Sequence, residues 1–175
     1  MRNKCFLDIM YSTLTLRDSR TYMFAALFIV GNILLPQLCH LVANGGLMLL
    51  PIYFFTLVGA YRYGWQVGLF TAIASPLVNH LMFGMPPTAV LPALLIKSSL
   101  LALCAAYAAR RWQKVSLPIL IGVVLAYQVA GCLIESAMSG SLYAGFQDFR
   151  LGIPGMLLQV IGGLLVIKAF PDRQA

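Results

Sequence analysis

Charged residues are scarce in this sequence, and acidic ones are the scarcest. Asp, Glu, Lys and Arg make up 10% of the 175 residues, only five of them acidic, while 61% of residues are hydrophobic and the mean hydropathy is +0.87. A soluble domain carries roughly 25% charged residues. The composition therefore excludes an ordinary soluble domain or soluble enzyme. At roughly 20 residues per crossing, the chain has room for about five to seven membrane helices and no separate globular domain.

Motifs that carry chemistry are also missing. The sequence has no phosphate-binding GxxxxGK[ST] loop, GxSxG elbow, HExxH pair or Ser/His/Asp arrangement. ATP hydrolysis is therefore excluded as this chain's own activity, and we expect no enzyme. The cysteines form no CxxC or zinc pattern and are expected to be small apolar side chains: Cys5, Cys39, Cys104 and Cys132. No internal repeat supports an inverted-repeat transporter.

Apolar runs separated by turn residues predict six membrane spans in one integral membrane domain, 1–175, and hence an all-α membrane protein. The spans cover residues 21–40, 46–61, 64–82, 88–109, 116–138 and 151–170. Residues 1–20 contain basic side chains without an apolar core, so we interpret them as a cytoplasmic lead-in and not as a cleavable signal peptide.

The basic residues predict the orientation. With both termini in the cytoplasm, Arg150 alone lies outside and Lys97 lies within a span. The other basic residues then lie inside: Arg2, Lys4, Arg17, Arg20, Arg62, Arg110, Arg111, Lys114, Lys168 and Arg173. Membrane topology thus accounts for the net charge of +7. We expect a multi-pass protein of the bacterial inner membrane, with the lipid bilayer and not nucleic acid as its partner.

The outer half of the predicted bundle is irregular. Pro51 interrupts the second span, and such breaks are tolerated where backbone lines a cavity or packs on protein. The longest outer connection, 139–150, contains two glycines with Tyr143 and Phe146, so we predict a mobile lid. The three outer connections are 41–45, 83–87 and 139–150.

Two ionisable residues, Lys97 and Glu135, lie inside the predicted spans. A charge in mid-membrane costs roughly 2.5–3.5 kcal/mol, so such residues point to function. The predicted span ends place Lys97 about 10 Å deeper than Glu135. Two interpretations stay open: an ion pair that joins two helices, or contact with a polar ligand.

Polar stripes run along three other faces. Gln128, Cys132 and Glu135 share one face of the fifth span. The third span carries Thr71, Ser75, Asn79 and, next to them, His80; the first carries Asn32, Pro36, Cys39 and His40. Each stripe alone is typical of helix-to-helix hydrogen bonding, but their convergence predicts a pocket open to the outside. The predicted binding residues are Asn32, His40, Asn79, His80, Lys97, Gln128, Glu135, Tyr143 and Phe146.

The chain resembles the substrate-binding S component of energy-coupling factor (ECF) vitamin transporters. The likeness lies mainly in Leu49 to Ala93, with its Pro-containing span, tight turn at Tyr61 to Gly64 and Gly/Pro outer loop. The resemblance implies capture of a vitamin or precursor from outside and its release inside, with a membrane scaffold subunit and two ATPase subunits as partners. Many S components dock through an AxxxA motif, whereas here Ala25 and Ala26 precede Ile29 and Val30 by four residues.

Within that family the chain looks most like the BtuM-type cobalamin members, which present a cysteine to cobalt from the third span. Here that region has Asn79 and His80, so the resemblance implies His80 as a nitrogen ligand to the cobalt of a corrinoid substrate. No permanently bound cofactor is expected.

The alternative is a structural, MreD-like membrane protein without cargo; a small intramembrane enzyme would need more polar residues. The fourth-span alanines, Ala102, Ala105, Ala106 and Ala109, would either pack internally or dock on a partner.

Overall fold

The computed structural model describes residues 14–39 and 50–169, and this part of the chain is helical without strands. A 3₁₀ turn, Pro51–Tyr53, precedes the second of the seven α-helices formed by the described residues. The helices are α1 Ser19–Cys39, α2 Phe54–Tyr63, α3 Trp65–Phe83, α4 Leu91–Trp112, α5 Leu117–Ser139, α6 Leu142–Leu151 and α7 Ile153–Ala169. The prediction of an all-α protein is confirmed for the described residues.

Four of these helices are long and apolar enough to cross a membrane. They are α1 over Ser19–Gln37 and the whole of α3, α4 and α5. The helix α7 is apolar but shorter. Large apolar side chains cover much of their outer surface; Leu81, for example, is 81% exposed. Such a surface matches lipid and indicates a membrane-embedded protein.

Proline and glycine set the helix boundaries. Pro92 and Pro118 lie in the first turns of α4 and α5, where no backbone N–H is needed. Gly84 and Gly140 end α3 and α5 in the left-handed conformation, with φ of 67° and 66°. These four helix ends therefore follow local preferences of proline and glycine.

The predicted second span, 46–61, differs in the structure. Residues 46–49 lie outside the described part, Leu50 adopts a left-handed conformation, and α2 contains only ten residues. The helix is about 15 Å long. Its side chains are almost wholly inaccessible, with Leu57, Val58 and Ala60 at 0% exposure. Thus α2 is the central buried helix, in contact with α1, α3, α4 and α7, and not a lipid-facing span.

The prediction of a loop at 139–150 was wrong, because residues Leu142–Leu151 form α6. This helix packs on α5, and Phe149 reaches the apolar core. The sequence signal was misleading because one glycine costs a helix only about 1 kcal/mol and need not end it. The true break before α7 falls at Gly152, close to the predicted start of the sixth span at 151.

Small residues pack α2, α3 and α4 together. A Cβ on Gly68 of α3 would lie 2.5 Å from Ala60 Cβ and 3.2 Å from Ala102 Cβ. The four fourth-span alanines are at most 4% exposed. They therefore pack within this chain and do not offer a docking face.

Candidate functional site

Lys97 of α4 and Glu135 of α5 form an ion pair between Nζ and Oε2. The Lys97 side chain is 3% exposed and that of Glu135 is 22% exposed. The ammonium is therefore inside the bundle, whereas the carboxylate reaches its edge. Of the two interpretations drawn from the sequence, the structure contains the ion pair.

The start of α4 explains why the two residues meet despite the predicted depth difference. Residues Pro87 to Val90 form a turn, so α4 begins at Leu91 and not at residue 88. Lys97 then lies six positions from the helix start, and Glu135 lies four from the end of α5. Two residues of helix correspond to only about 3 Å, so the two side chains start at nearly the same depth. The predicted gap of about 10 Å was wrong because the span boundaries were misplaced.

Gly131 makes room for the lysine stem. A Cβ at this position would lie 2.6 Å from Lys97 Cγ and 3.0 Å from Cε. The stem therefore crosses α5 at Gly131 and reaches Glu135, one turn further on. Gly131 was not among the predicted site residues, although it lies four residues before Glu135 on the same face.

Gln128 lies three residues before Gly131 and is fully buried. Neither its amide nitrogen nor its amide oxygen has a hydrogen-bond partner among the described residues. An unpaired buried amide costs about 1–3 kcal/mol. Gln159 of α7, also fully buried, is half satisfied: its Oε1 accepts a hydrogen bond from Tyr127 at 2.9 Å, whereas its Nε2 has no partner among the described residues. Gln128 is thus a buried polar group with capacity to bind a polar partner from outside the described residues.

Asn32 joins three helices through hydrogen bonds. Its Nδ2 donates to Thr56 Oγ1 at 3.0 Å and to Ser75 Oγ at 3.2 Å, and its Oδ1 accepts from the Phe55 amide at 3.1 Å. Asn32, Thr56 and Ser75 are all 0% exposed. All the polar atoms of the Asn32 side chain are therefore hydrogen-bonded between α1, α2 and α3. This is typical of a polar residue that joins membrane helices and not of one that contacts a ligand.

Asn79 and His80 lie at the end of α3. Asn79 Oδ1 accepts a hydrogen bond from Gln37 Nε2 at 3.3 Å, which continues the α1–α3 contacts. His80 Nδ1 lies 2.7 Å from the Pro86 carbonyl. Because a carbonyl only accepts, Nδ1 is the donor in this hydrogen bond, and the tautomer that fits it has its lone pair on Nε2. This is the arrangement found in histidines that bind metals through Nε2.

Ser98 connects the two polar regions. Pro76 lies inside the continuous helix α3 and supplies no N–H to the carbonyl of Ala72. Ser98 Oγ, beside Lys97 on α4, donates to that carbonyl at 2.8 Å. Ser98 was not among the predicted site residues, although serine side chains often bond carbonyls that a proline leaves free in membrane helices.

The predicted site residues thus form two groups. Asn32 and Asn79 lie between α1 and α3, with His80 next to Asn79, whereas Lys97, Gln128 and Glu135 lie between α4 and α5. Tyr143 and Phe146 of α6 are exposed by 77% and 61%, so they are not packed in the core. His40 and residues 41–45 lie outside the described part of the chain, as does the lead-in before residue 14.

No group of three His, Cys, Asp or Glu residues able to hold a metal ion occurs within residues 14–39 and 50–169. Two apolar surface grooves lie away from the predicted site. One runs between α5 and α7, including Ile121 and Met156, and the other runs along α3 beside Leu16. Neither groove contains a predicted site residue.

Comparison with known proteins adds no relative: no family model, curated protein or solved structure is significantly similar to this chain. The fold and composition define a helical membrane-embedded protein.

Proposed function

We propose that the chain is the substrate-binding membrane subunit of an ECF-type vitamin transporter in the bacterial inner membrane. It binds a vitamin or precursor from the outer side, and separate scaffold and ATPase subunits supply the energy. In this proposal the chain crosses the membrane six times with both termini in the cytoplasm, in agreement with the distribution of basic residues.

The observation that carries the proposal is the unpaired amide of Gln128. It lies on the same face of α5 as Gly131, where the Lys97 stem crosses, and Glu135, which binds the Lys97 ammonium. A protein with only structural duties gains nothing from a buried amide that no described residue satisfies. A polar ligand that enters between α4 and α5 would supply the missing hydrogen bonds and contact both charges.

The cargo that we favour is cobalamin, with His80 as an axial ligand to cobalt. The hydrogen bond from Nδ1 to Pro86 orients the ring and leaves Nε2 for a metal. His80 is half-buried near the end of α3. In this proposal the corrinoid is the transported substrate and not a resident cofactor, and Tyr143 and Phe146 supply apolar contacts from α6.

A structural, MreD-like role is the second candidate, and the Asn32 contacts favour it. Both polar atoms of the Asn32 amide form hydrogen bonds within the chain. Lys97 and Glu135 likewise neutralise each other. If Gln128 is satisfied by residues outside the described part, the polar groups need no ligand.

Mass spectrometry of small molecules released from the purified protein separates the two candidates. The account predicts a vitamin or corrinoid at near-stoichiometric amount, which also raises the thermal midpoint when added back. A thousandfold excess over the dissociation constant stabilises a protein by about 4 kcal/mol. The absence of any co-purified vitamin, together with no shift across a panel of vitamins and precursors, would favour the structural role.

The cobalt assignment has its own test. The visible spectrum of bound cobalamin reports the axial ligand, so it should change between the native protein and His80→Ala. Asn79→Ala is the matched control, since Asn79 bonds Gln37 and is not expected to reach cobalt. Identical spectra for the native protein and His80→Ala would exclude His80 as the ligand.

A further inference from the structure

A groove lies at the junction of the α3 start and the α4 end, far from the polar site. Its volume is about 490 Å³. It is lined by Trp65, Leu103, Ala106, Tyr107, Arg110 and Arg111. Because both helices are candidate membrane spans, their shared end lies near a membrane surface.

The lining changes in character along the groove. Leu103, Tyr107 and Arg110 recur at helical spacing and share one face of α4. From Leu103 to Arg111 the helix rises by about 12 Å. The groove is therefore apolar toward the membrane interior and basic at its end. The aromatic side chains of Trp65 and Tyr107 also line it. Aromatic side chains of this kind are enriched at the lipid headgroup level.

The two arginines carry charge that the described chain does not neutralise. Arg110 and Arg111 are exposed and make no hydrogen bond or ion pair with any residue that the structure describes. Their position at the C-terminal end of α4 is favourable for the helix dipole, but the effect is only about 0.3–1 kcal/mol. Each guanidinium retains donors for an external anion. The Glu135 carboxylate is bound to Lys97, about 20 Å away along α4.

We propose that this groove binds an anionic phospholipid. The phosphate contacts the guanidinium groups of Arg110 and Arg111, and the first part of an acyl chain lies along Leu103 and Tyr107. Charge complementarity and the gradient from apolar to basic lining select this occupant, because a zwitterionic lipid leaves the net charge of the two arginines uncompensated. The inference is independent of the proposed transport function.

The test is native mass spectrometry of the purified full chain titrated with phosphatidylglycerol or phosphatidylcholine of equal chain length. The double variant Arg110→Gln/Arg111→Gln removes the basic end of the groove. The matched control is Arg17→Gln/Arg20→Gln, which removes the same charge from two exposed residues that do not line the groove. All substituted residues are exposed, and circular dichroism verifies that both variants remain helical.

We expect the native chain and the control to prefer phosphatidylglycerol by about tenfold, and the groove variant to lose this preference. Leu103→Gln should weaken phosphatidylglycerol binding with both arginines present, and inorganic phosphate at equal concentration should not displace the lipid. Equal binding of the two lipids to the native chain, or equal losses in both double variants, would overturn the proposal. Displacement by inorganic phosphate would show a simple anion site and would also overturn it.

Discussion

Lys97 and Glu135 form an ion pair in which the two charges are unequally buried. The ammonium-bearing side chain is 3% exposed and the carboxylate-bearing one 22%. Loss of one partner from a buried pair is costly because it strands the other charge away from water. The cost therefore depends on which partner remains.

Glu135→Gln should destabilise the protein more than Lys97→Met. The first change strands a buried ammonium and should cost about 3 kcal/mol, whereas the second leaves a carboxylate at the bundle edge and should cost about 1 kcal/mol. Urea or thermal unfolding in detergent measures both, and the double variant Lys97→Met/Glu135→Gln should recover most of the loss. Equal single costs without recovery would contradict the ion pair as described.

Gly131→Ala should destabilise the protein through the lysine stem. The new Cβ would lie 2.6 Å from Lys97 Cγ, so we expect a loss of about 1–3 kcal/mol. Gly122→Ala on the same helix is the matched control, because its Cβ would have no neighbour within 4 Å. That change should be neutral or stabilise α5 by up to about 1 kcal/mol. In a Lys97→Ala background the Gly131→Ala cost should fall, and an unchanged cost would show that the stem is not the obstacle.

Ser98→Ala should cost about 1–3 kcal/mol, because it leaves the buried Ala72 carbonyl without its donor. Pro76→Ala restores a backbone N–H four residues after Ala72, so in that background the Ser98→Ala cost should be smaller. Unfolding of the two single variants and the double variant measures this coupling. Additive costs would mean that the proline and the serine act independently.

Much of the fold could be predicted because the bilayer imposes long apolar segments. The helices α1, α3, α4 and α5 match four predicted spans to within a few residues. The sequence could not reveal α2 as a buried core helix, since hydropathy measures composition and not whether neighbours or lipid surround a segment. It also concealed α6, because the glycine and aromatic residues that suggested a loop are tolerated in a short helix.

The residues of the candidate site could be predicted from the sequence, but their arrangement in space could not. Polar periodicity found Asn32, Asn79 and Gln128, and charge scarcity found Lys97 and Glu135. Periodicity within single helices cannot show which faces meet, so the division into an α1–α3 group and an α4–α5 group emerged only from packing. Gly131 was missed because its role depends on a side chain from another helix.

If Gln128 is kept for a ligand, Gln128→Met should affect ligand binding more than folding. In the ligand-free protein this change removes an unpaired buried amide, so it should raise the thermal midpoint by about 2 °C. Gln159→Met, the control, also removes an unpaired amide nitrogen, but it breaks the hydrogen bond from Tyr127 and should therefore lower the thermal midpoint.

The most direct measurement uses the small molecule recovered from the purified protein as the added ligand. It compares the ligand-induced shift of the thermal midpoint between the native chain and Gln128→Met. We expect a clear shift for the native chain and for a Gly122→Ala control, and a much smaller shift for Gln128→Met. A Gln128→Met protein that is destabilised like Gln159→Met and retains the full ligand-induced shift would contradict the claim, because Gln128 would then serve the fold and not the ligand.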